Sequence, residues 1–144
     1  MILEFVDDIN WLALGAAVAA AFSIGLLWFS PVAFGGFWAR QVSRYTGLSE
    51  DEITREASRS HTLGRWLASI GVTAFVLALT VEAVGASSAG EGLALGVVLT
   101  VGFGATLASW PPIFARMPWS WWLVNTSAFL LMQVAMGVIL ATWH

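Results

Sequence analysis

Four stretches of the chain carry almost only apolar and small residues: about Trp11 to Phe29, Trp66 to Val84, Leu93 to Trp110 and Trp122 to Trp143. Each comes close to the roughly 20 residues a helix needs to cross a hydrocarbon core of about 30 Å. Polar or proline-containing segments separate them, and no ionisable side chain falls well inside any run; Glu82 lies in the last turn of the second. The pattern predicts an all-α protein, an integral membrane four-helix bundle forming one transmembrane domain over residues 1–144. Glu4, Asp7 and Asp8 precede the first run where a leader would carry basic residues, and no small-residue cleavage pattern follows it. It therefore reads as a retained span.

The connection 30–65 has a different rhythm. Ser30-Pro31 stops the first helix, and Phe34, Phe37, Trp38, Val42 and Tyr45 then recur at helical spacing opposite Arg40, Gln41, Ser43 and Arg44. That is an amphipathic interfacial helix, followed by a cytoplasmic helical extension. Thr46-Gly47 ends the first of these helices. Ser49 and Glu52 have capping-box spacing, Leu48 and Ile53 the staple positions, and Asp51 and Arg55 the i,i+4 spacing of an ion pair. The extension is expected either to run on through Gly64 into the second span or to kink there, since a helical glycine costs only about 1 kcal/mol.

Helices in lipid associate by close backbone approach at small residues and by buried polar contacts. The third run has the clearest small-residue stripe, Gly92, Gly96, Thr100, Gly104 and Ala108, with Gly102 beside it, and is expected to sit centrally. The first run is smooth from Gly15 to Gly25, and the fourth carries Gln133, Gly137 and Ala141 on one face. Leu27, Pro31 and Phe34 repeat as Leu107, Pro111 and Phe114, which would make the chain two tandem hairpins related by an axis along the membrane normal.

Composition turns the pattern into an orientation. The chain is 58% hydrophobic and 10% charged, with a mean hydropathy of +0.80, which excludes a water-soluble domain. Its cations are six arginines: Arg40, Arg44, Arg55, Arg59 and Arg65 in the first connection and Arg116 in the third, all on one side of a four-span topology. The positive-inside rule makes that side cytoplasmic and turns both termini outward, across a bacterial inner membrane. Trp28, Trp38, Trp66, Trp110, Trp119, Trp121 and Trp122 cluster near the same side, with Trp11 and Trp143 opposite, as an interfacial belt would. A net charge of -3 without a basic tract excludes nucleic acid as a partner, and zero cysteines excludes thiol chemistry.

Candidate chemistry is sparse. A charge at the bilayer centre costs about 2.5–3.5 kcal/mol on insertion scales and is kept there for a function. Glu82 is the one candidate, and its place at a helix end favours an ordinary interfacial role. His61 and His144 fall on opposite sides and share no metal-spaced motif, while Glu50, Asp51, Glu52 and Glu56 suit a helix start better than a metal loop. No catalytic residue, metal or cofactor is expected. Asn125, Thr126, Ser127 and Gln133 are the polar groups inside the fourth run, read as interhelical glue. Asn125 lies near the Ser30-Pro31 and Trp110-Pro111-Pro112 breaks, where an inner-facing vestibule is expected. The candidate ligand or packing residues are therefore Trp28, Ser30, Trp110, Asn125 and Gln133, and the helix-packing residues Gly96, Thr100, Gly104, Ala108 and Gly137.

The segment Gly25-Leu26-Leu27-Trp28-Phe29-Ser30-Pro31, then Phe34-Gly35 and Trp38, then Gly47-Leu48-Ser49-Glu50, resembles the opening of the bacterial domain-of-unknown-function family 1761. Leu123-Val124-Asn125 and the close from Met136 to Ala141 with Trp143 resemble its end. The sequence departs from that family at Pro111 to Arg116, where a more polar segment is common, and at Phe129, where an aromatic-His pair often follows the Asn. The resemblance implies a four-span membrane protein and supplies no activity. The leading expectation is a non-enzymatic protein acting through helix contacts, with itself or other membrane subunits as partners besides the lipid bilayer. The alternative is a transporter or binding protein for a small apolar or amphipathic molecule.

Overall fold

A computed structural model describes residues 2–143, and the residues so described form helices and turns without a strand. A 3-10 segment, Ile2–Asp8, leads into α1 (Trp11–Trp28), whose second and third amides, from Leu12 and Ala13, donate to the Asn10 side-chain oxygen at 3.0 and 3.1 Å. This cap was not anticipated. The helix ends one residue before the expected Phe29. Pro31 cannot continue it, and the Ser30 hydroxyl donates to the Leu27 carbonyl at 2.7 Å, satisfying one of the terminal acceptors.

The amphipathic helix is α2 (Gly35–Thr46), closed by Gly47 at φ 76, where a side chain would be strained. The polar extension is α3 (Glu50–Ala57), and its capping box forms as the spacing predicts: the Glu52 amide donates to Ser49 Oγ at 3.2 Å and the Ser49 amide to Glu52 Oε2 at 2.9 Å. In place of the expected Asp51–Arg55 pair, Glu56 accepts Arg59 at 3.0 Å and approaches His61 Nε2 at 3.1 Å. α4 (Ser60–Val84) runs unbroken through Gly64, so of the two alternatives there the kink does not occur, but the helix does not reach back into α3 either. The break lies earlier. Ser58 turns its hydroxyl back onto the Thr54 and Arg55 carbonyls, both at 3.0 Å, and Arg59 is extended. α3 and α4 are therefore separate helices.

The second half comprises α5 (Ala89–Leu99), a π-helical segment (Thr100–Ala105), the short α6 (Thr106–Ala108) and α7 (Trp110–Ala115), and finally α8 (Trp119–Thr142). Four helical stretches, Trp11–Trp28, Ser60–Val84, Ala89–Ala115 and Trp119–Thr142, are long and apolar enough to cross a membrane, the build of a multi-pass membrane protein.

The centre of the packing is α8, not the third span as its glycine stripe led us to expect. α8 packs against α5, α1 and α4 and touches the π segment and α2, while the large interface of α5 is with α8 alone. α1 contributes a face of Ala13, Ala17, Ala21 and Gly25, four residues apart, and α4 contributes Ile70, Ala74, Leu77 and Val81. These meet Met132, Met136 and Leu140 of α8 in one core. Gly15, on the other side of α1, meets nothing. The two-hairpin repeat fails for the same reason: it would require α4 to pack on α5 as α8 packs on α1, and no comparable α4 interface with α5 exists among the described residues.

The glycine stripe works over half its length. Cβ atoms built on Gly92 and Gly137 would strike each other's backbone carbonyl, and one on Gly96 would lie 2.7 Å from the Gln133 carbonyl, so α5 and α8 are in backbone contact here. Thr100 is fully buried in the same line. Gly104 and Ala108 then leave the seam, because the π turn inserts extra backbone and rotates the face away. A Cβ on Gly104 would find only the Thr100 methyl, at 3.7 Å. Ser109 donates to the Thr106 carbonyl at 3.2 Å instead of reaching Ala105, and the freed Ala105 carbonyl accepts the Trp122 indole N–H at 2.8 Å.

Candidate functional site

Beneath α2 and α3, at the end of the molecule that carries the arginines, lies a cavity of about 550 Å³. Its roof is built by a tight reversal after α1. The Phe34 amide donates to the Trp28 carbonyl at 2.9 Å and the Gly35 amide to Ser30 at 3.0 Å, which folds α2 back over the end of α1. A Cβ on Gly35 would run into the Phe29 carbonyl, so only glycine permits this reversal. Two aromatic pairs hold it down: Trp28 on Phe34 with ring centres 4.4 Å apart, and Phe29 edge-on to Trp38 at 5.9 Å. The Trp28 indole N–H also donates to the Val124 carbonyl at 3.1 Å, tying the roof to α8.

The floor and walls come from three other helices. Trp66 of α4 lies across Gly25 of α1, where a Cβ would collide with the indole, and packs on Phe22 with ring centres 5.1 Å apart. Asn125 and Phe129, one turn apart on α8, close the far side. Asn125 donates through Nδ2 to the Trp121 carbonyl at 2.8 Å, which leaves its carbonyl oxygen without a hydrogen bond among the described residues. Thr54, Ser58 and Thr62 lie along the edge formed by the α3–α4 break. The cavity is thus apolar and aromatic on one side and lightly polar on the other, with no titratable side chain in its lining.

Of the residues singled out from sequence, Asn125 lines this cavity. Trp28 and Ser30 flank it through Phe29 and Pro31, with their polar groups already used in holding the backbone. Trp110 is exposed and takes no part in the lining, and the Trp110-Pro111-Pro112 break is replaced as a wall by the break at Ser58. Gln133 lies two turns from Asn125, outside the lining, and its Oε1 is buried without a partner, so it does not make the interhelical hydrogen bond expected of it. Thr126 Oγ1 is likewise buried and unpaired. Thr54, Ala57, Ser58, Thr62, Leu63 and Trp66 were missed. The one signal for them was the predicted interfacial helix itself, which must roof something.

Elsewhere, Glu82 lies half-buried in a small cleft at the opposite end, beside Asn10 and Trp143, with room for about one water. His61 is exposed against Glu56, and His144 lies outside the described residues. Among the described residues no three His, Cys, Asp or Glu side chains gather as a metal site would require.

Four membrane-length apolar helices, with α2 and α3 roofing a cavity at one end, define the class: a small multi-pass α-helical membrane protein. The chain belongs to the family described as protein of unknown function (DUF1761), matching it over residues 12–141. No curated protein and no solved structure matches it significantly.

Proposed function

We propose that this is a non-enzymatic binding protein for a small apolar or amphipathic molecule, held in the cavity between α2, α3, α4, α1 and α8. The observation that carries the reading is the cavity itself: its volume of about 550 Å³ falls in the range of roughly 300–1,000 Å³ usual for ligand sites. Its lining also combines aromatic walls with a few hydroxyls and one amide oxygen, the mixture that positions an apolar ligand by a small number of polar contacts. The six arginines support a cytoplasmic placement for this end, in a bacterial inner membrane, with both termini outside. Native mass spectrometry of the protein released from mild detergent tests the reading. The intact protein retains a small-molecule adduct, and Ala57→Trp, which fills the cavity from α3, loses it. Absence of any adduct in the intact protein, with no thermal shift across a panel of lipids and metabolites, contradicts the reading.

A second reading is assembly through helix contacts, with itself or as an accessory subunit. It is favoured by the exposure of Leu93, Val98, Val101 and Phe103 on a helix whose large interface is with α8 alone. The mass of the detergent-solubilised particle decides it: a lone protomer without a co-purifying subunit removes this reading.

A further inference from the structure

We infer that the molecule in the cavity is an uncharged amphipath, an apolar body carrying a hydroxyl, and that Asn125 Oδ1 accepts the hydrogen bond of that hydroxyl. The inference rests on the binding reading above and adds the chemistry of the ligand. A backbone carbonyl can only accept, so the side-chain atom of Asn125 that meets the Trp121 carbonyl at 2.8 Å is the amide nitrogen, which fixes the orientation of the amide. The oxygen is left over. It receives no hydrogen bond among the described residues, yet it is not sealed off within the protein as Gln133 Oε1 and Thr126 Oγ1 are. The space that Asn125 borders is the chamber, where Phe129, one turn further along α8, stands beside it. A fixed acceptor thus belongs to an otherwise apolar wall.

An amide oxygen covered by apolar matter costs free energy unless a donor meets it. The lining does not supply that donor. The Ser58 hydroxyl is committed to the Thr54 and Arg55 carbonyls, and the indoles of Trp38 and Trp66 are held by their packing on Phe29 and Phe22. The donor therefore comes with the ligand. A hydroxyl provides it and can accept from an indole N–H in return, which neither an ammonium nor a bare hydrocarbon does. Charge is disfavoured for a separate reason: no side chain in the lining is titratable, so a carboxylate, phosphate or ammonium inside the chamber would lie unpaired. Leu26, Phe29, Leu63, Trp66 and Phe129 receive the apolar body. Two sources share this chemistry, a long-chain alcohol of lipid origin and a ring-bearing phenol.

The test is competitive retention by the full-length protein in detergent, read by native mass spectrometry with probes matched in size: hexadecanol against hexadecyl fluoride, and para-nonylphenol against para-nonylfluorobenzene. The intact protein prefers the hydroxyl member of a pair by about fivefold, the value of one hydrogen bond. Preference within the hexadecyl pair identifies a lipid alcohol as the source, and preference within the nonyl pair identifies a phenol. Asn125→Leu abolishes the preference while the apolar body still binds. A second readout needs no variant: the chain has two asparagines, and the Asn10 oxygen is already engaged by the Leu12 and Ala13 amides. With asparagine side-chain carbonyls labelled for carbon NMR, the hydroxyl probe moves the Asn125 resonance more than its fluoride does and leaves that of Asn10 in place. Equal retention of hydroxyl and fluoride probes with no such difference at Asn125, in protein that still loses its adduct with Ala57→Trp, overturns the hydroxyl assignment and leaves the cavity reading standing. Tighter retention of hexadecyl sulfate than of hexadecanol overturns the uncharged class. Equal retention of all probes by the intact protein and by Ala57→Trp overturns both readings.

Discussion

Gly92 of α5 and Gly137 of α8 lie so close that neither position can hold a side chain: each would drive a Cβ into the other's carbonyl. This contact, continued by Gly96 against Gln133, is what attaches the third membrane-length helix to the rest. Gly137→Leu therefore forces α5 away from α8 and lowers the thermal midpoint in detergent, by the 1–3 kcal/mol or more that overpacking costs. Gly104→Leu, in the same sequence stripe but beyond the π turn, changes stability by no more than about 0.5 kcal/mol. Equal loss in the two variants would show that the π turn does not redirect the face.

The indole of Trp122 holds the π segment in place by occupying the Ala105 carbonyl. Trp122→Phe keeps the ring but leaves that carbonyl unpaired, a cost of about 1–3 kcal/mol if it stays so. The backbone has an escape, because the Ser109 amide can swing from Thr106 back to Ala105. A lowered melting temperature together with a changed amide resonance for Ser109 is the expected result, and a Ser109 amide identical to the parent's would contradict it.

Gln133 gives the opposite sign. Its Oε1 is buried and unpaired, so Gln133→Leu removes an unsatisfied amide in favour of a side chain of similar size and stabilises by about 1 kcal/mol. Thermal unfolding measures it, and destabilisation would mean that the amide does bind across helices.

Acid acts on the start of α3. The Ser49 backbone N–H, then its hydroxyl, hold the Glu52 carboxyl below its ordinary value of 4.5. A lowered folded-state value means the cap's contribution is complete above that ordinary value and is lost as pH falls through the lower, folded one. Hydrogen exchange at the Asp51, Glu52 and Ile53 amides, corrected for its intrinsic pH dependence, should accelerate only below the ordinary carboxyl value of 4.5. Ser49→Ala brings the acceleration forward to neutral pH; protection unaffected by that change would rule the cap out as the cause.

The elements were largely legible from the chain. Apolar run lengths gave the four spans, and Gly47, Pro31 and the Ser49-Glu52 pair marked helix ends whose chemistry is local. What was not legible is non-local. Gly104 and Gly96 look alike in a four-residue stripe, and only the i→i+5 turn between them decides which one faces α8. Trp28, Trp66 and Trp122 read as members of an interfacial belt, but their rings pack across Gly25 or donate to the carbonyls of Val124 and Ala105, distant partners that no spacing reveals. Ser58 looks like any loop serine until its hydroxyl is seen to close α3 and open the cavity wall. Asn125 was found because a buried amide is expensive in lipid, and that argument could not distinguish it from Gln133.

The central claim is that the chamber under α2 and α3 is a built ligand site. An electron cryo-microscopy map of the protein in lipid nanodiscs, made tractable by a rigid binder on the termini's side, addresses it most directly. Elongated density between Trp66 and Phe129 is the predicted result. A collapsed chamber, with α2 and α3 packed directly onto Phe29 and Asn125 and no space between them, would contradict it.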